Sequence, residues 1–113
     1  MLSSLLLRRW QAFARICKSP QEAIEGIKDG SFLLVGGFGI CGVPMNLINA
    51  VKQAGTRQLT IASNNCGVGD KEGKTDWGLA VLLRNRLIKR MISSYVGENY
   101  EFERQFFNGE LEL

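Results

Sequence analysis

The residues of this chain best suited to chemistry are a cluster of glycines, a pair of amides and two thiols. Gly36, Gly37, Gly39 and Gly42 lie between an apolar run, Phe32–Val35, and Pro44. Without a Cβ, such a loop can take up φ > 0 and let another molecule approach the backbone. Its free N–H groups, with a helix N-terminus behind them, favour negative or electron-rich atoms. Asn64-Asn65 follows a second apolar run, and side-chain amides at a strand end can hold a carbonyl or a developing oxyanion. For Asn65 the plainer reading, a turn residue in the left-handed region ahead of Gly67, is preferred. Cys41 and Cys66 have no basic neighbour in sequence to activate them, so both read as small packed thiols. Glu98, Glu101 and Glu103 could serve as acid–base groups, but a solvated helix surface accounts for them more simply.

Several chemistries are excluded or weakened. The chain has no histidine, and Cys17, Cys41 and Cys66 show no metal-ligand spacing, which argues against a zinc site. An odd number of cysteines also argues against a disulfide framework, so reduced thiols are expected. Gly37-Phe38-Gly39-Ile40-Cys41-Gly42 fits GxGxxG, but the acidic ribose ligand expected about twenty residues on is absent. No Gly-Lys-Ser/Thr follows, so the loop is not a Walker A phosphate site. No catalytic pair and no convincing nucleophile can be assembled from these residues.

The elements that must position these groups alternate between helix and strand. Ser19-Pro20-Gln21-Glu22 starts a helix by capping box, running to about Ile27. Asp29-Gly30 turns into a strand over 31–35, and the glycine loop leads to a helix from Pro44 to about Gln53, stopped at Gly55. A second strand spans Leu59–Ser63. Residues 67–76, GVGDKEGKTD, read as a solvated loop, and Trp77 to about Asn85 as a largely buried helix. A third strand runs from Ile88 to about Ser94 with a basic outer face, Lys89 and Arg90. A helix follows from Tyr100 to about Phe107 with Glu101, Glu103 and Arg104 outward, and Glu110–Leu113 alternates like the start of another strand. This spacing predicts an α/β fold with an open, mainly parallel sheet flanked by helices. Ligands gather at the carboxyl ends of such strands. The glycine loop, Asn64-Asn65 and the Tyr95–Asn99 turn would then share one edge.

The net charge of +3 is concentrated at the start. Arg8, Arg9, Arg15 and Lys18 lie in an acid-free stretch; the other 10 of the 14 basic residues face 11 acidic ones, leaving −1 over residues 19–113. There is no basic body and no charge argument for nucleic-acid binding. Residues 1–18, rich in Leu, Ser and Arg, have the composition of a mitochondrial transit peptide, and import with cleavage before about Ser19 is expected. A terminal helix of a cytosolic protein is the alternative. The apolar run Leu5–Leu7 is far too short to span a bilayer.

The blocks Asp29-Gly30, Val35-Gly36-Gly37-Phe38-Gly39, Cys41-Gly42 and Pro44 resemble the signature of class I coenzyme A transferases. Ser63-Asn64-Asn65, Leu82-Leu83-Arg84, Ile88-Lys89-Arg90-Met91 and Ser93–Gln105 continue the likeness in order, from Ser19 to Leu113. The last block is most similar to the members that move CoA from succinyl-CoA to acetoacetate in ketone-body catabolism. The resemblance implies that residues 19–113 are part of an α-type domain, which packs against a β-type half in a homodimeric enzyme of the mitochondrial matrix. It also implies ping-pong chemistry, with CoA thioesters as substrates and no permanently bound cofactor. A β-half glutamate becomes the enzyme-CoA thioester, so no catalytic nucleophile is expected here. Carried over residue by residue, Asn64 falls where the family orients the substrate carbonyl. Gly37, Phe38, Gly39, Cys41 and Gly42 fall on the loop beside the site. Two departures stand out: the loop Gly69–Asp76 is longer than the family's, and the chain stops within a predicted strand. An N-terminal fragment, inactive alone and weakly soluble, is therefore expected. The alternatives are a non-catalytic α-type assembly module and an α-type partner acting on another short-chain acid.

Overall fold

The structure, a computed structural model, describes residues 15–113. Most of the expected leader, residues 1–14, lies outside the described residues.

Ser19 caps the first helix, α1 (Pro20–Ala23), its Oγ accepting from Glu22 N at 3.1 Å. The Glu22 carboxylate takes Lys18 N at 2.7 Å, one residue before the cap, so the capping box closes early. The helix is shorter than predicted and passes into turns at Ile24. Asp29 Oδ1 then accepts from Arg57 N at 2.7 Å, tying the entry of β1 (Phe32–Leu34) to that of β2 (Leu59–Ser63). Between them runs α2 (Met45–Ala54), ended as predicted by Gly55 at φ 68°.

The next helix departs from expectation. Trp77 is exposed and pairs antiparallel with Val68, and Gly78 takes φ 70°, which a helix cannot continue. The helix α3 is confined to Ala80–Arg84. It leads into β3 (Ile88–Ser93), and Asn99 caps α4 (Tyr100–Phe107).

The three strands form one open parallel sheet in the order β1-β2-β3. A bulge between Leu59 and Thr60 leaves Lys89 as an extra residue, so both Lys89 and Arg90 face solvent, the basic outer face foreseen. Glu112 adds a single parallel bridge to Arg90, where a further strand was expected to begin.

Inward residues Leu33, Ile61 and Met91 share a register row, and they pack with Ile48, Val51, Leu82 and Phe102 into one core. Each such large side chain contributes about 1.5–3 kcal/mol when fully buried. The opposite row is open: Leu34 is 80% exposed and Ile92 51%. The core thus fixes strand register from one face, and with it the level at which each strand ends.

Candidate functional site

Extending the β1–β2 register by two residues puts Gly36 level with Asn64. Ser94 lies beside them, since its backbone N–H donates to Asn64 O at 3.1 Å. The register thus brings the start of the glycine loop, Asn64 and the end of β3 to one sheet edge, whereas Asn65 and the Asn99 end of the Tyr95–Asn99 turn, expected there too, are buried.

The glycine loop is a small hairpin. Phe38 N donates to Cys41 O at 2.9 Å and Cys41 N to Phe38 O at 3.0 Å. Gly39 at φ 60° is the first central residue of this two-residue connection, the place where type II′ turns take glycine. Gly37 at φ 132° packs against Val43, whose Cγ2 lies 3.0 Å from where a Cβ would stand. The GxGxxG spacing is therefore hairpin geometry, not a phosphate cradle: two of its N–H groups are consumed internally. Helix α2 begins only after Pro44, which offers no side-chain cap. Phe38, Ile40 and Cys41 are exposed at the tip. Cys41 is thus not the packed thiol expected, because the hairpin stands off the core.

Asn64 is exposed, and its Nδ2 donates to Ser94 Oγ at 3.3 Å. Its backbone oxygen accepts from Ser93 Oγ at 2.9 Å, which fixes the β2 end against β3. Asn65 is buried and does not adopt the left-handed conformation expected of it; Gly67, at φ 72°, takes that role. Cys66 is 1% exposed and burial pushes its thiol pKa up, so it is a packed, inert thiol as foreseen. An apolar crevice between α1, β1 and α2 reaches Gly36, but its walls, Ile24, Leu33, Leu47 and Val51 among them, bring no titratable group. The polar chemistry lies on the strand ends instead.

The carboxylates sort differently from expectation. Glu98 and Glu103 are solvated, but Glu101 is 4% exposed and accepts from Arg84, Arg104 and Gln105. The hydrogen bonds from Arg104 hold its pKa down, at about 2, with the Gln105 bond and the Arg104 and Arg84 charges adding to the effect against the opposing cost of burial. A carboxylate so held is a structural anion and not an acid–base group. Arg84 also binds Asp76 at 2.9 Å and the Asp70 carbonyl at 2.6 Å. The 67–76 segment is consequently not a free solvated loop: it leaves and returns through the Val68–Trp77 pair and is pinned by Arg84. Sequence reasoning named Ser94 only as a strand end and Asn99 only as part of the Tyr95–Asn99 turn; the capping role of Asn99 had a legible signal, since it directly precedes the last helix.

These features define an open parallel α/β domain with exposed polar groups at the carboxyl edge of its sheet. A family profile described as coenzyme A transferase matches residues 17–113, and the chain belongs to that family. It is 52% identical over 99 residues to one subunit of a probable succinyl-CoA:3-ketoacid coenzyme A transferase of Bacillus subtilis, covering 88% of this chain and 39% of that protein. It is 47% identical over 94 residues to a mitochondrial succinyl-CoA:3-ketoacid coenzyme A transferase 2B of Mus musculus, covering 83% and 17%. Among solved structures, an acyl-CoA transferase of Escherichia coli O157:H7, in a thioester complex with CoA, matches with TM-score 0.62 at 30% identity, over 82% of this chain and 19% of that one. The AibA/AibB decarboxylase shares the fold at TM-score 0.65 and 23% identity, over 87% and 37%. The chain spans well under half the length of each of these proteins. Among the described residues, no helix is long and apolar enough to cross a membrane.

Proposed function

We propose that this chain forms the α-type wall of a succinyl-CoA:3-ketoacid CoA transferase and, with a β-type partner, moves CoA from succinyl-CoA to acetoacetate. The 52% identity to a protein named as one subunit of such an enzyme carries the reading. The geometry supports it. Attack of a carboxylate on a thioester generates an oxyanion, and a preorganised amide N–H is the kind of donor that stabilises one. Asn64 offers such an amide, solvent-accessible and bonded to Ser94, on the sheet edge where the glycine loop begins. Phe38 and Cys41 complete the exposed loop face on which a CoA thioester would lie. The nucleophilic glutamate comes from the β-type partner, so the chain alone is inactive. The acid-free leader and the mitochondrial relatives in mouse support import to the matrix and removal of residues 1–18, leaving 19–113 as the α-type part.

The decisive experiment mixes the purified chain with the β-type subunit that complements the Bacillus subtilis relative, and follows acetoacetyl-CoA formation. The chain alone should give none and the mixture should turn over. Asn64→Ala should then lower kcat by roughly a hundredfold. Activity of the chain alone would refute the division of labour. Stable binding without turnover would favour a non-catalytic assembly module, and no binding would refute both. Fractionation of the native protein checks the localisation, for which an intact leader in cytosol would be contrary.

A further inference from the structure

We infer that Asn99 is a positioning residue for the Asn64 edge, acting through the Cys66 carbonyl. This rests on the reading of that edge as the substrate site. Asn99 is 1% exposed and uses both ends of its amide. Its Oδ1 accepts from Phe102 N at 3.1 Å, capping α4. Its Nδ2 donates to Cys66 O at 3.0 Å, two residues beyond Asn64. A helix cap needs only an acceptor, which Asp or Ser supplies as well as Asn. The second bond needs a donor, and of these three side chains only Asn carries donor and acceptor on two separate atoms of one planar group.

Neighbouring backbone bonds show that the contact is part of a clasp. Gly69 N donates to Glu98 O at 3.0 Å, and Tyr100 N to Gly69 O at 2.9 Å. Glu98 holds φ 64°, a left-handed conformation uncommon for a residue other than glycine, in the turn directly before Asn99. At its other end the same segment is fixed by Ser93 and Ser94 on the Asn64 carbonyl. Residues 64–69 are therefore gripped by β3 on one side and by the start of α4 on the other. The Asn64 amide projects from the first residue of that gripped segment.

The test uses the full chain carrying Asn99→Asp, which keeps the capping acceptor and the side-chain size and removes the donor, or Asn99→Ser, which keeps a capping acceptor and replaces the amide donor by one hydroxyl on a shorter side chain. Amide hydrogen exchange should accelerate at residues 65–69 while β3 and the body of α4 stay protected. In the mixture with the β-type subunit, kcat should fall roughly ten- to a hundredfold at little-changed KM, as for a misplaced site group. That loss should largely vanish when Asn64 is already Ala, because both changes act through one group. Unchanged exchange at 65–69, uniform loosening of the whole core, or failure of both variants to fold would overturn the assignment. So would additive losses in the double variant. The exchange result stands without any activity, so an inactive mixture would count against the proposed reaction and not against the clasp.

Discussion

Replacing Glu101 by Gln tests the largest difference between the expected and the observed surface. Glu101 Oε1 accepts from Arg104 Nη2 at 2.7 Å and from Gln105 Nε2 at 2.6 Å. Its Oε2 accepts from Arg104 Nε at 3.1 Å and Arg84 Nη1 at 3.2 Å. A glutamine of the same size has one oxygen, so its NH2 must face two donors whichever way it turns. Two hydrogen bonds to a charged group are lost, at about 1.5–3 kcal/mol each. Part of this is recovered, since Arg84 keeps Asp76 and Arg104 keeps Glu110. A net loss of about 2–3 kcal/mol remains, or a fall in Tm on the order of 10–20 °C for a chain of this size. Urea unfolding followed by far-UV circular dichroism measures it, and a loss below about 0.5 kcal/mol, the range of an ordinary surface change, would refute the reasoning.

The same variant carries a pH signature. The folded-state pKa of Glu101 is lowered from 4.5 to about 2, chiefly by its hydrogen bonds from Arg104. A depressed carboxylate contributes its stability above the unfolded pKa and loses it as pH falls through the folded one. The stability gap between the native chain and Glu101→Gln should therefore be constant near neutrality and narrow between 4.5 and about 2. Other acidic groups titrate in both proteins and cancel in the difference. Parallel curves down to the acid limit would mean that the ion cluster does not stabilise the fold.

Two glycines at nearly the same φ should respond differently to alanine. At Gly67 a Cβ would stand 2.0 Å from Trp77 O, so Gly67→Ala should cost more than about 3 kcal/mol; at Gly55 nothing lies within 4 Å and the cost should be about 1 kcal/mol. Equal urea midpoints would remove the close-approach argument. In a Cys17→Ser background, a thiol reagent should label Cys41 at once and Cys66 only on unfolding; rapid labelling of both in the folded state would contradict the packing of Cys66. Leu34→Lys, on the open sheet face, should raise solubility by light scattering and leave stability within about 0.5 kcal/mol; a larger loss would show that face to be packed.

Which features could be read from the sequence follows from how far apart the interacting residues lie. The limits of β2 and α4 and the stop at Gly55 rest on signals within a few positions: apolar runs, a capping residue, a glycine after the last turn. The glycine hairpin was hidden by a competing local pattern, because GxGxxG and a two-residue turn with Gly at its first central position make the same demand on Gly39. Glu101 could not be placed at all by such means. Helical spacing puts it on the face of Gln105, but a buried carboxylate there is tolerable only with a cation in reach. One of its guanidinium partners, Arg84, comes from another helix seventeen positions away. Asn99 shows the same limit at the site itself. Its acceptor role is local and legible as a cap, whereas its donor role depends on Cys66, thirty-three positions back. The orientation of the Asn64 amide is thus set partly by a residue whose sequence signal speaks only of helix initiation. Substituting another good capping residue at position 99 would satisfy that local signal and still release the edge.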